Sequence, residues 1–310
     1  MTGVQTCALP IWSGRTPFSR SGDGRAALGP MLREAIVGEA MHALGIPTTR
    51  ALAVVATGEP VYRERVLAGA VLTRVAASHL RVGTFQLAGA LGRHDLLEAL
   101  LAHAIARHDP DLAGTPDPAA RFLERVVERQ AALVARWMAV GFVHGVLNTD
   151  NVAISGETID YGPCAFVDGY DPDAVYSSID AHGRYRLSQQ PAITLWNLAR
   201  LAEAILPLLA SDEEAAIEKA NAILATFEAR YDTFRLAAFR AKVGLLDGES
   251  ADDALVKDFL SLLSVAKSDY TASFAALAPL AAGGASPWSD PAFGTWLAAW
   301  RARLARQPGG

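Results

Sequence analysis

Asp150, Asn151 and Asp160 fall within one short stretch, residues 144–162, HGVLNTDNVAISGETIDYG. An asparagine side-chain oxygen and an aspartate carboxylate that converge can hold a hard cation such as Mg²⁺. A phosphate-bound Mg²⁺ needs only one or two protein carboxylates, because phosphate and water complete its shell. Asp150 would add a second carboxylate or act as a base. Ordinary turn chemistry is the competing reading, since Asn and Asp are common turn residues. To converge, these residues need elements that deliver them. A helix-like run over 122–140, carrying Trp137, leads into His144. Residues 152–154 read as a short strand, 155–157 as a tight turn and 158–159 as the return strand. Such a hairpin would bring Asn151 and Asp160 to the same end.

The order of these groups resembles the catalytic half of a protein kinase, where an H-R-D loop, a downstream Asn and a D-F-G serve catalysis and metal binding. His144 matches the loop histidine, Asn151 the metal-binding Asn, and Asp160-Tyr161-Gly162 the D-F-G. Val146 stands where the kinase catalytic Asp would be, and valine cannot accept a hydroxyl proton. That departure argues against conventional kinase transfer and leaves magnesium–nucleotide binding in place.

The chain has 310 residues, 51% of them hydrophobic, enough for one large domain or two smaller ones. A formal charge of -5 gives no global basic field for nucleic acid. No uninterrupted apolar run of 18 residues argues for a membrane span. Two cysteines, Cys7 and Cys164, make neither a disulfide framework nor a metal cluster, and a cytoplasmic setting is expected.

Residues 1–12 read as a tail outside the domain, with 4–11 resembling a translated sequencing adaptor. Residues 13–30 form a glycine-rich loop with Arg15, Arg20 and Arg25 but without a Walker ending, so either a phosphate contact or a surface loop suits it. A helix is expected over 32–44, its apolar face built by Leu32, Ala35, Ile36, Ala40 and Ala43, with Glu34 and Glu39 also on it. Three strands follow, at 51–56, 61–66 and 70–75. Arg74 ends the third and Arg81 lies in the loop beyond, an arrangement that suits either an anion site or scattered surface arginines. From about 91 the chain turns helical, at 95–106, 119–140, 192–209, 212–228, 230–243, 251–266 and 269–279, with a final helix through Trp296 and Trp300. A short strand is expected at 165–167. Trp196 is expected to anchor the helix at 192–209 in the core. Asp168, Asp171 and Asp173 lack a calcium-loop pattern, and Arg184 and Arg186 are left undecided.

Several long segments resemble the SelO (YdiU) family of selenoprotein O-like protein adenylyltransferases: SGRTPFSRSGDGRAAL, REAIVGEAMHALGIPTTRAL, ATGEPVYRERV, AVLTRVAASHLRVGTFQ, HGVLNTDNVAISGETIDYGP, FVDGYDPD and QQPAITLWNLARLAEAI. The resemblance runs over about 13–304. It implies an α+β, protein-kinase-like fold of two lobes, here a partial sheet-containing lobe at 13–88 and a helical lobe at 89–310. It implies transfer of AMP from ATP to Ser, Thr or Tyr hydroxyls of protein substrates, with Mg²⁺ or Mn²⁺ as cofactor. The nucleotide lies flipped relative to a kinase, which accounts for the absent base at Val146. By motif, Asn151 and Asp160 resemble the metal ligands, and Asp150 the adjacent catalytic acid. Glu34 resembles the helix glutamate, and Arg74 and Arg81 the phosphate-binding arginines. In the family a lysine stands two residues before the Ser-Gly-Arg-Thr-Pro motif; here that position is Ile11. The resemblance also implies a longer chain, with a redox-associated cysteine in its tail. Adenylylation by this chain is therefore expected to be absent or very weak.

Overall fold

The computed structural model describes residues 7–11, 13–15 and 22–307. Strands cluster early and helices fill the rest, an α+β arrangement. The sheet comprises β1 (Cys7–Ile11), β2 (Ala26–Ala27), β3 (Arg50–Tyr62) and β4 (Val66–Ala76). All pairings are antiparallel and all are made to β4. β3 runs along one edge of β4 for almost its whole length, so β1 and β2 share the other edge. Residues that the sequence sets apart as a tail thus lie along β4, from Cys7 opposite Ala76 to Ile11 opposite Leu72. Pro10 lacks an N–H and is tolerated there because β1 is an outer strand.

Two expected strands, 51–56 and 61–66, are replaced by the single strand β3. The stretch Gly58-Glu59-Pro60 is a bulge, where the register shifts between Ala56 and Pro60, and the chain reverses only at 63–65. Along β4, the alternation of a strand buries Ala70, Leu72, Arg74 and Ala76 on one face. An arginine therefore sits in register with the core side chains.

α1 (Leu28–Ala43) packs on the sheet through Met31, Glu34, Gly38 and Met41. The expected face is displaced: Leu32 is 43% and Ile36 68% exposed, while Glu34 is 7% exposed. The reason is an ion pair to β4 that fixes the rotation of the helix, described below. Gly38 permits the close approach, since a Cβ there would lie 3.2 Å from the Thr49 carbonyl oxygen.

Next come α2 (Val82–Ala90), α3 (His94–His108) and α4 (Pro118–Val140). α2 is an addition, because residues 77–85 read as loop from the sequence. α4 is the axis of the main core, burying Phe122, Leu123, Val126, Val127, Ala131, Val134 and Trp137. It ends at Gly141, whose φ of 68° closes the helix. A two-residue ladder of β5 (Phe142–Val143) and β6 (Ala165–Phe166) follows. α5 (Gln190–Ala204) and α6 (Glu213–Leu224) complete this core. α7 (Phe227–Lys242), α8 (Asp252–Ala266), α9 (Tyr270–Ala275), α10 (Leu277–Ala281) and α11 (Pro291–Leu304) surround a second one. Phe259, Trp296 and Trp300 stack in it, with ring centroids 4.2 Å and 5.7 Å apart.

The cores meet at the end of α4. Tyr270 donates its hydroxyl to the carbonyls of Met138 (2.8 Å) and Ala139 (3.0 Å). Lys242 donates to Ala139 as well and lies over the Tyr270 ring at 4.2 Å. The carbonyls that a helix terminus leaves unpaired are thereby satisfied by side chains from α7 and α9. No helix among the described residues is long and apolar enough to cross a membrane.

Candidate active site

The segment after β5 is held from below. His144 is fully buried beside Trp137 and Phe142. Its Nε2 donates to the Ile159 carbonyl at 2.9 Å, and its Nδ1 faces the Val146 amide at 3.4 Å. That pattern assigns the Nε2–H tautomer. Burial pushes the His144 pKa down, against the smaller raising effect of the Ile159 hydrogen bond. His144 thus braces two stretches of backbone.

Gln190, the first residue of α5, supports the same place. It accepts from the His144 amide (2.9 Å) and donates to the Phe142 carbonyl (2.8 Å). Asn197, two helical turns on, donates to the Leu147 carbonyl at 2.9 Å. From α4, Gln130 donates to the Ala153 carbonyl at 2.7 Å and Arg129 to that of Ile154 at 3.1 Å. A buried loop must satisfy its backbone groups, and these four side chains do so.

The expected hairpin is not formed. Residues 152–154 and 158–159 do not pair with each other. Ala153 bridges antiparallel to Arg81, and Thr158 bridges parallel to Thr48. Each half takes its hydrogen bonds elsewhere: Ile154 donates to Leu80 (3.1 Å), and the Thr49 amide donates to Thr158 (3.0 Å). Thr149–Asn151 is a single 3-10 turn. The segment therefore threads between the β4–α2 loop and the α1–β3 loop, and tertiary pairing overrides the local hairpin pattern.

Glu34, Arg74, Arg81, Asp150 and Asp160 come together around this thread, in which Asn151 lies. Glu34 is buried and ion-paired with Arg74, itself 3% exposed. The other Glu34 oxygen accepts from the Tyr161 amide at 2.6 Å. One carboxylate thus joins α1, β4 and the segment Asp160-Tyr161-Gly162. Arg81 donates to the Asp150 carbonyl at 2.7 Å. Burial lowers the Arg81 pKa, and Arg74 lowers it further, while Asp160, Asp150 and Glu34 oppose the shift. Those charges share one low-dielectric neighbourhood. Asp160 has a φ of 72°, a left-handed conformation that Asp and Asn tolerate better than other side chains. It lines a cleft of about 660 Å³ with Arg25, Met31, Arg33, Glu34 and Arg63.

The donor chemistry suits a hard cation carried by phosphate. Asn151 is buried and its amide nitrogen donates to the Val146 carbonyl at 2.8 Å, which leaves Oδ1 as its ligating end. Asp160 adds a carboxylate. Among the described residues no three His, Cys, Asp or Glu side chains cluster as a metal cage. A cation held by Asn151 and Asp160 would therefore draw its remaining ligands from a nucleotide and water, as Mg²⁺ does.

Other candidates fall away from the site. Glu39 pairs with Arg50 on the surface at 2.7 Å. Asp171 pairs with Lys267 and Asp173 with Arg186. Arg20 lies outside the described residues. Trp196 is 39% exposed rather than a core anchor, because Arg184 and Arg200 cover its ring from 4.6 Å and 5.2 Å. Gln190, Asn197 and Gln130 were not singled out from the sequence. Their one signal is polar side chains on the apolar faces of α4 and α5.

A family model described as protein adenylyltransferase SelO matches residues 11–290. A protein nucleotidyltransferase YdiU from Rhizobium etli is 54% identical over 303 residues, covering 96% of this chain and 61% of its own length. The protein of that name from Cereibacter sphaeroides is 58% identical over 298 residues, covering 94% and 62%. One from Syntrophotalea carbinolica is 54% identical over 295 residues, covering 95% and 60%. The chain spans about three fifths of the length of these curated relatives. With nearly the whole chain matched by one family and by relatives at this identity, the chain belongs to the SelO family.

Proposed function

We propose that this chain carries the nucleotide and metal half-site of a protein adenylyltransferase, within a two-lobed, protein-kinase-like fold. The supporting observation is the convergence of Arg74 and Arg81 with Asp150 and Asp160 around a buried Glu34, with Asn151 next to Asp150 in the chain. Arg74 and Arg81 would offset polyphosphate charge, which is worth most in a water-poor site. Asn151 and Asp160 would hold Mg²⁺ or Mn²⁺, whose bound form neutralises and orients the phosphates. The reaction is attack of a Ser, Thr or Tyr hydroxyl oxygen of a protein on the α-phosphorus of ATP. The new O–P bond forms as the bond to the β-phosphate oxygen breaks, pyrophosphate leaves, and the hydroxyl proton passes to Asp150. Val146 offers no base at the kinase position, which favours this reading over γ-phosphate transfer.

Ile11 limits the chain. It pairs with Leu72 and packs beside Ala26, Met31 and Ala70, where the family resemblance expects a phosphate-binding lysine. We infer that AMP transfer by this chain is weak, and that Ile11→Lys raises it. The test is incorporation from ATP labelled at the α- or the γ-phosphate, with Mg²⁺ or Mn²⁺. Label from the α-position alone, dependent on Asp160, supports AMP transfer. Label from the γ-position alone replaces it with an ordinary phosphotransferase. Metal-dependent ATP binding with no label in either case, even in Ile11→Lys, replaces it with a nucleotide-binding scaffold.

A further inference from the structure

His79 sits in the loop between β4 and α2, and both of its ring nitrogens are buried without a hydrogen-bond partner. The Nε of Arg74 is in the same condition. Buried polar groups in folded proteins are nearly always paired, so an unpaired imidazole beside an unpaired guanidinium nitrogen points to a ligand. The loop has little freedom to relieve them. The Ala77 amide donates to Glu157 at 2.9 Å, Arg107 donates to the Ala77 carbonyl at 2.5 Å, and Ser78 bonds His108 at 2.7 Å. Ile154 donates to the Leu80 carbonyl at 3.1 Å, and the Arg81 amide is held by Thr84 at 3.2 Å. The backbone is pinned on both sides of His79 while its ring has no protein partner.

The charges that act most on the ring are positive: Arg74 from β4, Arg81 at the start of α2 and Arg107 from α3. Glu34 pairs with Arg74, and Glu157 interacts with Arg107. Burial and these cations push the His79 pKa down to about 4, so the ring is neutral near pH 7. An anion placed among the three cations reverses the second of these causes. Its charge favours the imidazolium, and each ring nitrogen then has an N–H to donate.

Resting on the nucleotide reading above, we propose that His79 is a third anion-binding residue beside Arg74 and Arg81, one that contacts a polyphosphate and takes up a proton as the anion binds. The proton comes from solvent and stays on the ring, and no covalent bond changes. The role is binding and charge matching, separate from the transfer step assigned to Asp150.

Inorganic tripolyphosphate is the probe. Titration calorimetry near pH 7 in two buffers of different ionisation enthalpy gives the number of protons taken up. We expect a fraction of one proton for the unaltered chain and none for His79→Gln, which keeps a donor but cannot titrate. His79→Ala should bind about tenfold more weakly, the loss of one charge-assisted hydrogen bond. Ring resonances of the unaltered chain supply a readout that needs no variant: His79 should titrate below its ordinary range alone and higher with tripolyphosphate. Equal proton uptake in His79→Gln, an unmoved His79 titration, or no binding of tripolyphosphate each overturns the proposal. AMP transfer, in the chain or in Ile11→Lys, without proton uptake on tripolyphosphate binding would sink the His79 assignment alone. Proton-coupled binding without AMP transfer would sink the adenylyltransferase reading alone.

Discussion

Replacing Glu34 by alanine strips two groups of their partner at once. Arg74, 3% exposed, loses its counter-charge, and its Nε has no partner to fall back on. The Tyr161 amide loses its 2.6 Å acceptor. Breaking a buried pair from one side costs about 3–5 kcal/mol, because an uncompensated charge stays behind. The stranded amide adds about 1–3 kcal/mol. Against a usual domain stability of about 5–15 kcal/mol, the variant should keep a small margin or unfold. Urea unfolding followed by circular dichroism reads the loss directly. Tripolyphosphate gives an internal check, since an unpaired Arg74 has more to gain from an anion and the ligand should restore stability more in Glu34→Ala than in the unaltered chain. Removing both charges, with Glu34→Leu and Arg74→Met together, should recover most of the loss, as buried pairs replaced by apolar groups commonly do. A single variant within about 1 kcal/mol of the parent would show that this pair does not hold α1 to β4.

Asp160→Asn should abolish metal-dependent AMP incorporation while leaving the melting temperature almost unchanged, because asparagine also tolerates a φ of 72°; full activity with Asn would remove Asp160 from the metal. Gln190→Ala leaves the His144 amide and the Phe142 carbonyl without partners and should cost about 2–4 kcal/mol in urea unfolding; a loss under about 0.5 kcal/mol would show that Gln190 does not hold this segment. Stability should also fall on acidification below pH 6.5. Burial holds His79, His108 and His144 below their ordinary 6.5, with nearby arginines adding to it for the first two. The unfolded chain therefore binds more protons in that range, and the loss extends to about 4, the folded value for His79 and His108. A urea midpoint that stays flat between pH 7 and 5 would contradict this.

Residues 144–162 stand out as candidates in the sequence because their polar types are local and flanked by apolar runs. The early sheet, the long α4 and the later helices followed from periodicity for the same reason. Glu34 was visible as a candidate, yet its burial was not, since its partner Arg74 lies 40 residues away and outweighs the Leu32–Ile36 stripe. The hairpin failed where Arg81 and Thr48 supplied better backbone partners than the segment could give itself. Gln190 and Asn197 serve carbonyls and an amide 46 to 50 residues distant, a role that no local pattern encodes. Trp196 misled because a large aromatic reads as core, and two arginines can cover its ring at the surface instead.

The cap on α4 has a consequence for when this site comes into being. Met138 leaves the ribosome 132 residues before Tyr270, whose hydroxyl closes the helix end. At about 5–20 residues per second, that interval is roughly 7–26 s. Until then the segment after β5, which begins at His144, follows a helix terminus whose side-chain cap is incomplete, next to a second core not yet fully synthesised. The residues proposed to hold metal and nucleotide are therefore made early and fixed late, and a nascent chain holds residues 144–162 before it holds the packing that fixes them.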